Sequence, residues 1–552
     1  MAESMYTSTT SEENTIIYND ALLTTITRTR RHTIGDLLWR SAARFPNKTA
    51  IVYGQLRQTY AELDKVVNRT ANALIERGVR KGDRIALLSH NNHGFVVANF
   101  ALARLGAIMV PINFMLGATE VAFILGHAGA SGLIVEDALL TTAEAAIKNA
   151  GAERTVRVRG VIGENGNDSS DGWESLQTWM EYPNTTVPDV AIADDDPLQL
   201  LYTSGTESLP KGAALSSRAL IAQYVSCVVD GQMNADDIEI HSMPLYHCAQ
   251  LHCFLTPGIY LGATNIILPG PDPALILATI EKERVTKLFF PPTVWIALLR
   301  HPDFNTRDLS SLAKGYYGAS VMPVEVLKEM GRRLPNVRLF NFYGQTEMSP
   351  VATVLQPEDQ VRKAGSAGRP CVNVETIIVD IDDRPVPPGT EGEIVHRSPH
   401  AMLGYWNDPE KTAEAFRNGW FHSGDLGVID DEGYLYVVDR KKDMIKTGGE
   451  NVASREVEEA LYAHPGVAEV AVFAVPDPRW IEAVTAAVIP RSGQTLNEDE
   501  LIAFCKQRLA SFKSPKYIVI VDTLPKNASG KILKRELRNS YASLAKTKKG
   551  AP

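Results

Sequence analysis

Leu200-Leu-Tyr-Thr-Ser-Gly-Thr-Glu-Ser-Leu-Pro-Lys-Gly212 carries an apolar run directly into hydroxyls, glycines and a lysine. The run reads as a buried strand that opens into Thr203, Ser204, Gly205 and Thr206, followed by Pro210, Lys211 and Gly212. Glycine lets backbone approach an anion closely, hydroxyls and amides donate to phosphate oxygens, and lysine adds charge. The spacing is not that of the Walker loop, whose Gly-Lys-Ser/Thr ending opens a helix. Taken by itself, the segment also fits an ordinary turn-rich loop.

On either side of it the chain alternates helical and extended patterns. Tyr60 to Arg77 has the apolar face of an amphipathic helix, Asp83 to Leu88 reads as a strand, Phe95 to Leu105 as a helix ending at Gly106, and Ala107 to Ile112 as a strand. Such alternation predicts βαβ units on a mainly parallel sheet. A polar interval from Gly160 to Asp196 reads as a surface excursion with one short helix near Trp173 and Trp179, and the βα rhythm resumes from Leu198 to about Leu339. Gly365 to Asp439 changes to short β-like runs with turns, a small β-rich subdomain. The last part, with a helix over 455–462, strands over 467–475 and 484–489 and a helix over 498–509, predicts a compact α+β unit.

Overall we expect an α/β fold: a large N-terminal domain over 1–441 and a small C-terminal domain over 442–552. The charged, then glycine-rich stretch Lys441 to Gly449 is a plausible hinge between them.

The 552 residues are 44% hydrophobic and 22% charged, which excludes a disordered or collagen-like chain. A net charge of −9 gives no field that would gather nucleic acid or an anionic membrane. Five cysteines are too few to staple a chain of this length and fit a reducing compartment. The acidic N-terminus lacks the pattern of a secretory signal. The uncharged stretch Ile240 to Pro271 is long enough to span a bilayer, but its three histidines, Gln250 and Asn265 predict buried strands and turns instead. A soluble, cytoplasmic protein without stable membrane insertion is expected.

Three further segments carry chemistry. Asn341-Phe-Tyr-Gly-Gln-Thr-Glu-Met-Ser-Pro350 offers Tyr343 to stack on a base and Glu347 to bind a hard cation beside phosphates; it also fits a strand ending in a capped turn. Asp425, after Gly424, and Arg440 suit a ribose diol, or equally an ion pair on a hairpin. Lys531 follows Gly530 near the chain end, where most lysines are simply exposed.

These four segments, in this order and at these separations, resemble the adenylate-forming superfamily of acyl-CoA synthetases, luciferases and nonribosomal adenylation domains. The resemblance runs from about Ile34 to Leu537 and is nearest to stand-alone fatty-acyl-CoA synthetases. It implies ATP and CoA as co-substrates, Mg²⁺, and acyl-adenylate formation followed by thioester formation. It places Thr203, Ser204, Gly205, Thr206 and Lys211 on the β- and γ-phosphates and Thr346 at the α-phosphate. It gives Mg²⁺ to Glu347, adenine to Tyr343 with Gly318, Ala319 and Ser320, and the ribose to Asp425 and Arg440. Lys531 would bridge the carboxylate and α-phosphate. Lys442 would be the hinge about which the small domain swings, bringing Gly448 and Gly449 to a thiol tunnel. Glu207 and Ser208 depart from the Thr-Gly of many relatives.

His241, His247, Cys248, His252 and Cys253 invite a zinc site, but the adjacent His-Cys pairs match no familiar finger spacing. The resemblance makes His247 a substrate-side gate. It also builds the acyl pocket from Leu251, Cys253, Phe254, Tyr316 and Tyr317, without a charged partner, so an apolar acid is expected: a medium or long fatty acid, or a bulky alicyclic or aryl acid. Free CoA is favoured as acceptor over a carrier protein, since no carrier domain is fused. A homodimer is left open.

Overall fold

The computed structural model describes residues 6–10, 14–163, 172–203, 210–319, 322–440, 443–447, 450–527 and 530–545. Two large, mainly parallel sheets form its body. The first runs in the spatial order Gly404–Tyr405, Lys211–Ser216, Pro197–Thr203, Ile108–Ile112, Arg84–Leu88, Gly132–Glu136, Val158–Ile162 and Glu174–Ser175. The strands from Pro197–Thr203 onward are parallel, and the first two pair antiparallel at one edge.

The second sheet has nine strands, with Arg338–Gly344, Lys314–Gly318, Lys287–Phe290, Ile238–His241, Thr264–Ile267 and Thr49–Tyr53 as its parallel centre. Strands covered on both faces read as continuous apolar runs, as Lys287-Leu-Phe-Phe290 mostly does. Its buried Lys287 is opposite Glu239 on the neighbouring strand, and the two form an ion pair at 2.8 Å.

The helix His93–Leu105 lies between the sheets, touching strands of both. That position explains why it is apolar nearly all round. It starts where Asn92 accepts from the Phe95 N–H at 2.9 Å and ends at Gly106 in the left-handed region. Its one buried charge, Arg104, is held by Asp64, Asn68 and the Gly35 carbonyl. The helix Tyr60–Glu76 begins at a capping box in which Thr59 and Glu62 satisfy each other's backbone N–H groups.

The segment expected to be strand and turn, Ile240 to Pro271, is largely helical in its middle: a π-helical stretch Ala249–Leu255 runs into a helix Thr256–Leu261. The polar residues are buried, as expected, and bonded side chain to side chain. His252 meets Tyr224 and Gln199 at 2.7 Å each, while His241 meets Gln250 and Asn265. The cluster that invited zinc is thus split into separate networks. In the polar interval, Trp173 and Trp179 are buried and a short helix forms at Leu176–Met180.

The β-rich subdomain is a five-stranded sheet built on Glu375–Val379, Gly392–Arg397, Trp420–Ile429 and Leu435–Arg440. The small C-terminal domain follows, its sheet centred on the antiparallel pair Val467–Asp477 and Ile481–Pro490. Lys441, Lys442, Gly448 and Gly449, with the expected boundary and hinge, lie outside the described residues. All five cysteines are free and buried, and among the described residues no helix is long and apolar enough to cross a membrane.

Candidate active site

In open α/β sheets, ligands bind beyond the carboxyl ends of the parallel strands. Here Pro291 and Ala319, just past two of those ends, line one small cavity beside His247, and the turn Thr346–Met348, just past a third, meets the neighbouring Cys248. Close packing at the strand ends demands glycine twice. A Cβ on Gly318 would sit 2.4 Å from the Phe342 carbonyl oxygen, and one on Gly344 only 1.9 Å from that of Pro350. Ala319 then turns with φ +64°, in the left-handed region.

Thr203 ends its strand directly opposite Lys211, and its hydroxyl donates to the Lys211 carbonyl at 3.5 Å. Ser204, Gly205, Thr206, Glu207 and Ser208 lie outside the described residues, as does Ser320. The Lys211 ammonium stands 5.0 Å above the ring of Tyr405. Tyr405 in turn donates its hydroxyl hydrogen to Glu347 Oε1 at 2.8 Å. Burial, then the charge of Glu347, raises the Tyr405 phenol, so it stays a donor. One tyrosine therefore links the lysine and the carboxylate that the sequence singled out separately. Sequence reasoning missed it; the aromatic pair Tyr405-Trp406 after Gly404 was the only signal.

Thr346 Oγ1 lies 3.1 Å from the Cys248 sulfur, whose thiol is pushed up to about 12 by burial and so stays protonated at neutral pH. The adjacent His247 accepts from the Ala249 N–H through Nδ1 at 3.2 Å, which leaves Nε2 carrying the ring proton. Burial and the nearby Lys531 charge lower its pKa to about 4, so the ring is neutral.

Lys531 reaches this position on a tight turn: its N–H donates to Asn527 Oδ1 at 2.8 Å, and the Asn527 N–H donates back to its carbonyl at 2.9 Å. Gly530, at φ +79°, lets this loop rest on the large domain. A Cβ there would come within 2.8 Å of Thr293 Oγ1 and 3.3 Å of Pro291 Cγ. Ser454 and Lys534 support the loop's domain: Ser454 donates to Asp439 twice at 2.7 Å, and Lys534 donates to Ser454 at 2.6 Å.

Tyr343 donates to Asp425 Oδ2 at 2.7 Å. Asp425 and Arg440 are register partners on adjacent strands and form an ion pair at 3.4 Å. Burial, then the Asp425 charge, raises the Tyr343 phenol well above its ordinary value. Of the two alternatives anticipated for these residues, the hairpin ion pair is the geometry observed.

Beside His247 lies a small cavity of about 10 Å³, lined by Met243, Pro244, His247, Ala249, Gln250, Phe289, Pro291 and Ala319, whose exposed surface is apolar. None of the residues expected at the acyl wall lines this small cavity. Leu251, Cys253 and Phe254 point into the core, Phe254 stacking 4.3 Å from Phe289. Tyr316 donates to the Gly231 carbonyl and Tyr317 to Gln360, at 2.5 and 2.6 Å. The π-helical phase decides which side chains line the cavity, and no periodicity rule built on 3.6 residues per turn anticipates it.

Glu347 suits a magnesium ion. The ion accepts one carboxylate and keeps waters and substrate phosphates as its other ligands. Tyr405 donates to Oε1, and among the described residues no hydrogen bond is made to Oε2, the oxygen that would meet the ion.

Comparison with known proteins is consistent across sequence and structure. The family described as "AMP-binding enzyme" matches residues 38–406, and "AMP-binding enzyme C-terminal domain" matches 456–531. A feruloyl-CoA synthase from Amycolatopsis is 39% identical, covering 93% of this chain and 100% of its own. A long-chain-fatty-acid–CoA ligase from Mycobacterium tuberculosis is 34% identical, covering 92% and 99%. An anthranilate CoA ligase solved in complex with anthranoyl-AMP superposes with a TM-score of 0.86 at 29% identity, over 94% of this chain and 99% of that one. With its large α/β domain, small C-terminal domain and these relatives, the chain belongs to the AMP-binding enzyme family and, within it, to the acyl-CoA ligases.

Proposed function

We propose that the protein is an ATP-dependent acyl-CoA synthetase that activates an apolar carboxylic acid through its acyl-adenylate. The observation that carries this reading is that the Gly530–Lys531 turn of the small domain packs against Thr293 and Pro291 of the large one, close enough for the Lys531 charge to act on His247, whose neighbour Cys248 lies 3.1 Å from Thr346. A carboxylate is a poor acyl donor because oxide would have to leave. In the first step a carboxylate oxygen attacks the α-phosphorus, the bond to the bridging oxygen breaks, and pyrophosphate departs. Phosphoryl transfer of this kind needs positioning and charge neutralisation more than covalent help from the protein. Lys531 supplies a positive charge between the two reacting groups. Thr203, Lys211 and the loop between them hold the outer phosphates, and Thr346 holds the α-phosphate. Glu347 would hold Mg²⁺, which adds charge neutralisation at the triphosphate. Asp425 and Arg440 take the ribose, while Tyr343 and Ala319 flank the adenine.

In the second step the CoA sulfur attacks the acyl carbon, AMP leaves and the thiol proton passes to solvent. Lys531 must withdraw for this face to open. The small domain's swing about Lys442, bringing Gly448 and Gly449 to the thiol, completes the proposal. His247, neutral and donating through Nε2, stands at the gate between acyl cleft and thiol.

The test is acid-dependent ATP–pyrophosphate exchange over a carboxylic-acid panel, with CoA added in a parallel arm and products weighed by mass spectrometry. Exchange with an acyl-CoA product supports the reading. Exchange without thioester formation transfers the acceptor role to a carrier protein.

A further inference from the structure

We infer that Arg455 is a positioning residue for adenylation, a latch that docks the small domain on the large one with Lys531 at the site and lets go before the thioester step; the inference rests on the ligase reading above and deepens it. Arg455 lies in the first turn of the helix Ser454–Tyr462, near the start of the small domain. A cation there is opposed by the positive end of the helix dipole, so helix formation gives no reason for it. Its guanidinium instead reaches out of its own domain. Nη2 donates to the Gly365 carbonyl at 2.8 Å and Nη1 to the Val437 carbonyl, both on the large domain. Nε turns back to Glu459 Oε1, one helical turn on, at 3.2 Å. All three nitrogens of the planar fork are thus engaged, two of them across the domain junction, and only 16% of the side chain is exposed. The charge also lies near enough to act on Tyr317, the neighbour of Gly318.

The docking is relayed to Lys531. Ser454, one residue back, donates through its N–H and its hydroxyl to Asp439, which shares the strand Leu435–Arg440 with Val437. The Ser454 hydroxyl oxygen accepts from Lys534 at 2.6 Å. Lys534 also pairs with Glu458 at 2.9 Å, and it opens the helix Lys534–Ser540 three residues beyond Lys531. One face of the small domain, from Arg455 through Ser454 to Lys534, therefore sets where the Gly530–Lys531 turn meets Thr293 and Pro291. The partners of Arg455 across the junction are uncharged carbonyls, and this makes the latch reversible. When the domain swings, water replaces the arginine at both oxygens, and no carboxylate is left stranded without its cation. The small domain carries both Arg455 and Lys531, so the swing that withdraws the lysine also undocks the arginine. Bonds made in one arrangement and lost in the other shift the balance toward the first.

The experiment measures the two half-reactions separately in Arg455→Met, which removes the donors, and in Arg455→Lys, which keeps the charge without the fork. The probes are the acid of the panel that wild type exchanges fastest, its synthesised acyl-adenylate, and CoA. Adenylation, read as kcat of pyrophosphate exchange, should fall roughly 10–100-fold in Arg455→Met, as expected for lost hydrogen bonds from a charged donor. KM for ATP should stay within about threefold, because the residues proposed for adenine, ribose and the outer phosphates all belong to the large domain. Thioester formation from the acyl-adenylate should equal or exceed that of wild type. Arg455→Lys should lie between the two. The ratio of the two rates in one preparation does not depend on the fraction folded, so a poorly folding variant still decides the matter. A ratio in both variants equal to that of wild type, whether the two rates stand or fall together, overturns the inference alone. No exchange with any acid by wild type overturns the ligase reading and this inference with it.

Discussion

The Tyr405 hydroxyl donates to Glu347 Oε1 at 2.8 Å while the Lys211 ammonium lies 5.0 Å above the same ring. The carboxylate proposed for a cation and the lysine proposed for phosphate are thereby kept apart by one side chain. Without it, two opposite charges in one crevice would be free to pair with each other. Tyr405→Phe removes only the hydroxyl bond. A hydrogen bond to a charged group contributes about 1.5–3 kcal/mol, so pyrophosphate exchange should fall roughly 10–100-fold at limiting magnesium and recover in part as the ion is raised. A magnesium profile identical to wild type would refute the positioning role.

Lys531→Ala tests the division of labour between the half-reactions. Removing one charge-stabilising donor typically costs ~10²–10³ in rate, and adenylation should fall by that factor. Thioester formation from a chemically synthesised acyl-adenylate plus CoA should remain within about threefold of wild type, because that step proceeds after the lysine has left. Equal loss in both assays would sink the two-state scheme. Loss in neither would return Lys531 to the surface.

Tyr343→Phe severs the 2.7 Å bond to Asp425 without removing the ring. If the ring stacks on adenine and the carboxylate takes the ribose, the variant frees Asp425 and raises KM for ATP only a few-fold, while Tyr343→Ala raises it by roughly 10-fold or more through lost stacking. Isothermal titration with ATP distinguishes the two, and equal affinities for both variants would count against the stacking role.

Three fully buried imidazoles make the fold acid-sensitive. Burial lowers the pKa values of His241, His252 and His396 to about 3 each, against about 6.5 in an unfolded chain. Between those values the unfolded state binds more protons than the folded one, so stability rises with pH and is lost as pH falls from about 6.5 toward 3. The urea midpoint should be level above about pH 7.5 and decline steadily below about pH 6. His252→Gln, which can keep partners in Tyr224 and Gln199, should lower the midpoint at pH 7.5 yet flatten part of that decline. A midpoint unchanged between pH 7.5 and 4.5 would contradict the prediction.

Gly344→Ala places a methyl 1.9 Å from the Pro350 carbonyl oxygen, where backbone and not a flexible tip must give way. The turn carrying Thr346 and Glu347 would shift. We expect loss of roughly 1–3 kcal/mol of stability and of most adenylation activity. A melting temperature equal to wild type with full exchange would show that this approach is not obligatory.

Much of the architecture was readable from the residues. The helix expected over Tyr60 to Arg77 is observed at Tyr60–Glu76, and that over Phe95 to Leu105 at His93–Leu105. Local signals set both: the Thr59–Glu62 capping box starts one, and Gly106 ends the other. The β-rich subdomain and the small α+β domain also follow from alternation and turn residues. Across Ile240 to Pro271 the buried strands at both ends were expected, and the reading failed at Ala249 to Leu261, where turns were expected and the chain is helical. There, polar side chains satisfy one another inside the protein, so polarity ceases to mark a turn.

The sequence by itself determined the α/β order and the large and small domains, because glycines, caps and apolar periods act within a few residues, and the order of four segments carried the family resemblance. Only the tertiary structure decided that Tyr405 stands between Lys211 and Glu347, that the Lys531 turn rests on the large domain within reach of His247, and that Gln250 rather than Leu251 or Phe254 lines the small cavity there. Those relations join residues up to nearly three hundred positions apart, or depend on the phase of a π-helical stretch. They are set by how sheets and domains pack, and no local pattern encodes that distance.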